Sequence, residues 1–240
     1  MNVNERVSLQ PAFLLHRRIY RETSLLLDVL TPDYGSLRLI AKGVLRSRGS
    51  RFAVLQPFVP LSVSWAGRSE LPVMCAAESR DPAVNLERKA LFCGLYMNEL
   101  LLRLLPVHDP QPGIFLIYEK SLRRLGRGEA PDETLRFFEL ALLDQIGYGL
   151  ALQHEIASGA QVQRDKFYVY LVEKGPLESP AGADAIRGAT LLGLRDGHLP
   201  GPVELNEAKR LMRRVLNHHL GGRPLKSREL FKFAKSNELP

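Results

Sequence analysis

Along the first 80 residues the apolar positions fall into short runs separated by turn residues. AFLLHRRIY, SLLLDVLT, SLRLIAKG, FAVLQPFVPLSVSWAG and LPVMCAAES are rich in Val, Leu and aromatics, the composition of β-strands. Thr31-Pro32-Asp33-Tyr34-Gly35, Arg46-Ser47-Arg48-Gly49-Ser50 and Ala66-Gly67-Arg68 divide them, and these residue types supply turns. In SLRLIAKG, Leu37, Leu39 and Ala41 alternate with Arg38, Ile40 and Lys42. A strand has period two, so Arg38 and Lys42 share one side of it. Pro57 and Pro60 predict an edge or a bend in the fourth run. Five short strands predict a small barrel, and an OB-type barrel is the commonest such solution.

From about Asn85 the period becomes helical. LERKALFCGLYMNELLLRLLP is apolar on most sides, as a buried helix is. Pro110 and Pro112 open a second helix, IFLIYEKSLRRLG, which Gly126 and Gly128 stop. Pro131-Asp132-Glu133 opens a third, ending at Gly147, with acids placed where the helix dipole favours them. Asn206 reads as the cap of NEAKRLMRRVLNHHLGG, and PLKSRELFKFAK as a short basic helix. The fold class is therefore α+β: an N-terminal OB-fold β-barrel followed by an α-helical domain. The barrel is assigned to residues 1–80, the helical domain to 81–150 with 204–240, and a small irregular subdomain to 151–203. In that last stretch only FYVYLVE reads as a strand.

The chain has 240 residues, enough for a full core without disulfides or metals. Its net charge is +7, and the distribution says more than the total. Residues 1–80 hold 11 basic and 6 acidic side chains, 81–200 hold 13 and 16, and 201–240 hold 9 and 4. From Ser36 to Ser69 there are six bases and no acid. Such a run is as often a solvated face as a ligand surface; the functional reading is a surface for a polyanion.

Other chemistry is sparse. Two cysteines, Cys75 and Cys93, cannot form a four-thiolate zinc site or a disulfide framework and read as thiols of a reducing compartment. There is no phosphate-binding glycine loop, HExxH pair or GxSxG elbow, so the chain is read as no enzyme and as needing no cofactor. His218 and His219 are adjacent on a helix and point about 100° apart, which speaks against shared metal ligation. No apolar run reaches the ~20 residues of a membrane span and no secretory signal opens the chain. The expectation is a cytoplasmic protein with no membrane partner.

The strings RETSLLLDVLTPDYGSLRLIAKG, LQPFVPLSV, GLYMNELLLRLL, LRFFELALLDQIGY and GGRPLKSRELF, taken together and in order, resemble the RecO family of bacterial recombination mediators. The resemblance runs from Pro11 to near the C-terminus. It implies an OB-fold, a helical domain, and a third piece that often carries a zinc knuckle. It implies binding and annealing of single- and double-stranded DNA, contact with the C-terminal tail of single-stranded DNA-binding protein (SSB), and, with RecR, loading of RecA, at the nucleoid. One departure is plain. Where the family's knuckle begins with a CxxCG-like string, this chain has HEIASG, with Glu155 and Ser158 in place of thiolates. No metal is therefore expected.

Arg38, Lys42, Arg46, Arg48 and Arg51 are the candidate phosphate-binding residues of the barrel. Arg223, Lys226 and Arg228 are candidates in the C-terminal block. Trp65, Phe52 and Phe58 could stack on bases, but core packing is the better reading for aromatics in a small barrel. The resemblance places the SSB-tail site in the helical domain at Arg136, and the short connection between helices adds Arg124 as a helper. A generic OB-fold protein that coats nucleic acid is the alternative function.

Overall fold

The computed structural model describes residues 6–46, 53–67 and 69–231. The chain packs as two compact units, Met1–Arg127 with Ser227–Pro240, and Gly128–Lys226.

The first unit is built on five strands: β1 (Arg6–Tyr20), β2 (Ser24–Thr31), β3 (Gly35–Ala41), β4 (Pro60–Ala66) and β5 (Val73–Ser79). They pair in the order β1-β2-β3-β5-β4, and β4 returns to β1, so the ladder closes. Closure depends on the length of β1. Its first half pairs with β4 from Arg6 to Phe13, and its second half with β2 from Phe13 to Tyr20. Bulges between Val7 and Gln10 and between Leu14 and His16 bend it from one neighbour to the other, as bulges do at barrel corners. All pairs are antiparallel except β3 with β5.

The inward positions follow the predicted alternation. Leu25, Leu27 and Val29 of β2 meet Leu37, Leu39 and Ala41 of β3, with Leu61, Val63 and Trp65 of β4 completing the core. Trp65 is thus a core residue, with Tyr34 edge-on at 5.1 Å, and Phe58 is buried as well. Phe52 lies outside the described residues. The β2–β3 turn is fastened by Thr31, whose hydroxyl accepts from Tyr34 N–H and donates to the Gly35 carbonyl. Gly35 must be glycine: its φ is +66°, and a Cβ would come within 2.0 Å of the Asp109 carbonyl oxygen.

Two helices belong to the same unit, α1 (Arg88–Leu104) and α2 (Pro112–Gly126). Phe13, on the outside of β1, packs against Phe115 and Tyr118 of α2. Asn98 of α1 is buried and bonded at both ends of its amide: the NH2 donates to the Leu15 carbonyl and the oxygen accepts from Tyr118. Burial also pushes the Tyr118 phenol far above its ordinary pKa, so it stays a donor. The chain returns at Ser227, whose N–H and hydroxyl both donate to Glu99, and Phe231 rests edge-on against Phe92 and Tyr96.

The second unit holds α3 (Pro131–Gln145), a small antiparallel sheet of order β7-β6-β8, and two further helices. The strands are β6 (Phe167–Leu171), β7 (Gly175–Glu178) and β8 (Ile186–Arg187); the helices are α4 (Gly188–Asp196) and α5 (Pro202–His219). The predicted strand in FYVYLVE is β6. Helix α5 begins at Pro202 behind Gly201, so Asn206 is a residue inside it rather than its cap. Proline at the first helical position starts the helix earlier because its missing N–H is not needed there.

A candidate nucleic-acid interface

The outward face of β1, β2 and β3 carries the basic residues. Register sets them in rows. His16, Asp28 and Arg38 are cross-strand neighbours, and the next row is Arg18, Leu26 and Ile40. Tyr20 opposes Ser24, and Lys42 follows directly after Ala41 at the end of β3. His16, Arg18, Arg38 and Lys42 are all exposed.

Their electrostatics differ. The Arg38 Nε donates to Asp28 Oδ1 at 2.6 Å, and His16 Nδ1 lies 3.6 Å from Asp28 Oδ2. One carboxylate therefore neutralises the middle of the face and holds Arg38 in place. Arg18, Lys42 and Arg46 form no ion pair among the described residues and remain available to an external anion. Arg21 lies over the Tyr20 ring at 5.2 Å, a cation–π pair at the rim of the face.

The turn carrying Lys42 and Arg46 is anchored from within. Leu45 N–H donates to the Thr23 carbonyl, tying it to the β1–β2 turn, and Arg46 N–H donates to the Gly43 carbonyl. Val44 is buried in the barrel core and Leu45 packs against that core. The apolar pair in this otherwise basic segment is thus a plug that seats the loop, while Lys42 and Arg46 project into solvent. Arg48 and Arg51 lie outside the described residues.

The strand alternation placed Arg38 and Lys42 on one side of a strand; in the structure Arg38 is on β3 and Lys42 lies in the turn that follows it. Sequence reasoning passed over His16, Arg18 and Arg21. The string HRRIYR carried the signal, but its relation to Arg38 follows only from the β1–β2–β3 register.

The C-terminal candidates divide between the units. Arg223 and Lys226 are exposed at the end of the second unit; Arg228 is half-buried and belongs to the first. The two helical candidates divide as well. Arg124 is in the last turn of α2, in the first unit, and Arg136 is on α3 in the second.

Arg136 is buried, with 5% of its surface exposed. One guanidinium nitrogen donates to Glu139 Oε1 at 2.9 Å. Its Nε and Nη1, and the nearby Thr134 hydroxyl, have no hydrogen-bond partner among the described residues. Buried donors left unpaired are costly, and both nitrogens are closed off from solvent.

HEIASG folds around Glu155. Its carboxylate accepts from Ala157 N–H, from Ser158 N–H and hydroxyl, and weakly from Glu178 N–H on β7. These bonds hold its pKa down at about 2, led by the Ser158 hydroxyl. Ile156 N–H donates to the Pro176 carbonyl, closing the turn onto the sheet. One buried carboxylate thus gathers the backbone of this turn and of β7.

Among the described residues no helix is long and apolar enough to cross a membrane. Two family models cover nearly the whole chain: "Recombination protein O N terminal" matches residues 6–83 and "Recombination protein O C terminal" matches 86–229. The chain is 52% identical to the DNA repair protein RecO of Methylococcus capsulatus, over 95% of this chain and 94% of that one. It is 47% identical to the Nitrosococcus oceani protein of the same name, over 94% and 93%. With the Azoarcus protein of that name it shares 41%, over 96% and 97%.

Proposed function

The chain belongs to the RecO family of DNA repair proteins, and from that premise we propose that it is a recombination mediator that binds and anneals DNA. It acts on single- and double-stranded DNA through phosphates, contacts the SSB tail, and with RecR promotes RecA loading at the nucleoid. We read the five-strand barrel as an OB fold, residues 1–80 as the DNA-binding part, and residues 151–203 as a subdomain that has replaced its metal with the Glu155 hydrogen bonds.

The observation that carries this reading is the outward face of β1–β3, where Arg18, Lys42 and Arg46 stand exposed beside the pinned Arg38. Arg48, Arg51, Arg223, Lys226 and Arg228 extend the proposed contact set. Cations on an exposed strand face bind phosphates without reading bases. Annealing then needs no catalytic group. Neutralising two strands lowers their mutual repulsion and raises their local concentration, and base pairing supplies the sequence information.

The SSB tail is acidic and apolar, and it asks for a cation with unpaired donors beside an apolar wall. Arg136, whose Nε and Nη1 have no hydrogen-bond partner among the described residues, is the proposed cation. Strand annealing on SSB-coated DNA tests the function. The mediator reading predicts acceleration by the wild-type protein and weaker tail-peptide binding by Arg136→Ala. A protein that only coats DNA would slow annealing, and equal peptide binding by Arg136→Ala would remove that residue from the site.

A further inference from the structure

The end of α5 and the β6–β7 turn bring together three side chains that the DNA-binding role does not use. His218 and His219 are the last two residues of α5, a position where a helix favours cations. Glu173 comes from the turn, with Oε1 3.0 Å from His218 Nε2. One ligand atom from each of the three lies within 4.8 Å of the others. We propose that Glu173, His218 and His219 form a binding site for a divalent transition ion of the Zn²⁺ class.

Adjacent residues in mid-helix diverge by about 100°, which is why the sequence argues against this pair. Both residues lie within α5, yet their side chains bring one nitrogen each within 4.8 Å of a Glu173 oxygen and of one another. The two imidazoles stand 5.2 Å apart with planes at 87°, and their nitrogens converge on the carboxylate. A tetrahedral ion with bonds of ~2.1 Å holds its ligand atoms about 3.4 Å apart. His218 and Glu173, 52% and 62% exposed, have the rotational freedom to close that gap. His219 is the fixed member, stacked on Tyr148 at 4.0 Å.

A second observation concerns Glu173 itself. Its φ is +66°, a left-handed conformation disfavoured for any residue with a Cβ and often retained where a side chain must be aimed. The turn holds it there, with Lys174 N–H donating to the Leu171 carbonyl. Glu173 and His219 also line a pocket of about 150 Å³ with Tyr148, Tyr170 and Val215, which leaves room for a further ligand beside them. Two imidazoles and one carboxylate suit Zn²⁺ and its neighbours rather than Mg²⁺ or Ca²⁺. The ion would clip the small sheet to the end of α5, just before the chain turns through Gly221 and Gly222 to Arg223. This donor set shares no residue with HEIASG, and it departs from the expectation of no metal.

Equilibrium dialysis of the full chain against Zn²⁺, with Mg²⁺ as the comparison and Co²⁺ as the spectroscopic probe, tests the site. The expected result is one saturable Zn²⁺ per chain, no comparable Mg²⁺ binding, and a visible Co²⁺ band of imidazole coordination. H218A and H219A should each lower Zn²⁺ affinity about 10-fold or more; H198A, at an exposed histidine elsewhere, should match wild type. Zn²⁺ should raise the wild-type melting temperature and leave that of H218A unmoved, with the two proteins melting together in chelator. No saturable Zn²⁺ in wild type, or equal affinity in the H218A/H219A double variant, would overturn the proposal.

Discussion

Arg38 on β3 and Lys42 in the turn just after it offer a phosphate different things. Arg38 already spends a short hydrogen bond on Asp28, so a phosphate must compete with a carboxylate. Lys42 stands exposed at the strand end and meets no such competition. The acid is therefore the restraint on this surface, and removing it should strengthen binding. Asp28→Asn is predicted to raise single-stranded DNA affinity at fixed salt, measured by fluorescence anisotropy, and to raise the salt slope by about 1, because a released arginine adds one phosphate contact. Unchanged or weaker binding would show that Arg38 needs Asp28 to be oriented. Lys42, Val44, Leu45 and Arg46 teach the same lesson about neighbours. Two apolar residues in a basic segment look like dilution of its charge, but Val44 is buried in the core and seats the loop that presents the other two.

At the scale of elements, the strand alternation was legible because Leu37, Leu39 and Ala41 of β3 all point into the hydrophobic core. Arg38 is the single exposed residue in a strand otherwise buried, and period two is enough to place it. Helix α1 was legible from its run of apolar residues, and α2 and α3 from proline at their starts and glycine at or beyond their ends. The row His16–Asp28–Arg38 was not, because cross-strand register is a long-range property that no local pattern encodes. Nor was the division that puts α2 in one unit and α3 in the other. The stretch 151–203 resisted reading for another reason: part of its order comes from Glu155, one side chain bonding to backbone up to 23 residues away. That carboxylate gives the element a pH signature. Its folded pKa of about 2 lies below the ordinary 4.5, so the bonds contribute stability that is fully present above about pH 4.5 and is lost as pH falls towards 2. Glu155→Gln should be less stable than wild type at neutral pH, with the gap closing through that window. Urea denaturation at a series of pH values reads it, and a gap independent of pH would mean that the charge is irrelevant.

At the scale of the molecule, the net charge of +7 resolves into places. One is a basic face on the closed five-strand barrel. Another is the end of the second unit, where Arg223 and Lys226 are exposed. Helices of mixed charge make up much of the rest. The family resemblance, the two family models and the relatives at 41–52% identity agree on DNA repair. What they do not contain is which side chains meet DNA, and the account commits to the exposed cations of β1–β3 and the loop after β3. The most direct test is the salt dependence of single-stranded DNA binding for wild type and for the Lys42→Glu, Arg46→Glu protein. Each lost phosphate contact should lower the slope of log affinity against log salt by about 1, so the double variant should bind more weakly, with a slope shallower by about 2 and an unchanged melting temperature. Equal affinity and equal slope in the two proteins would contradict the claim that DNA lies on this face.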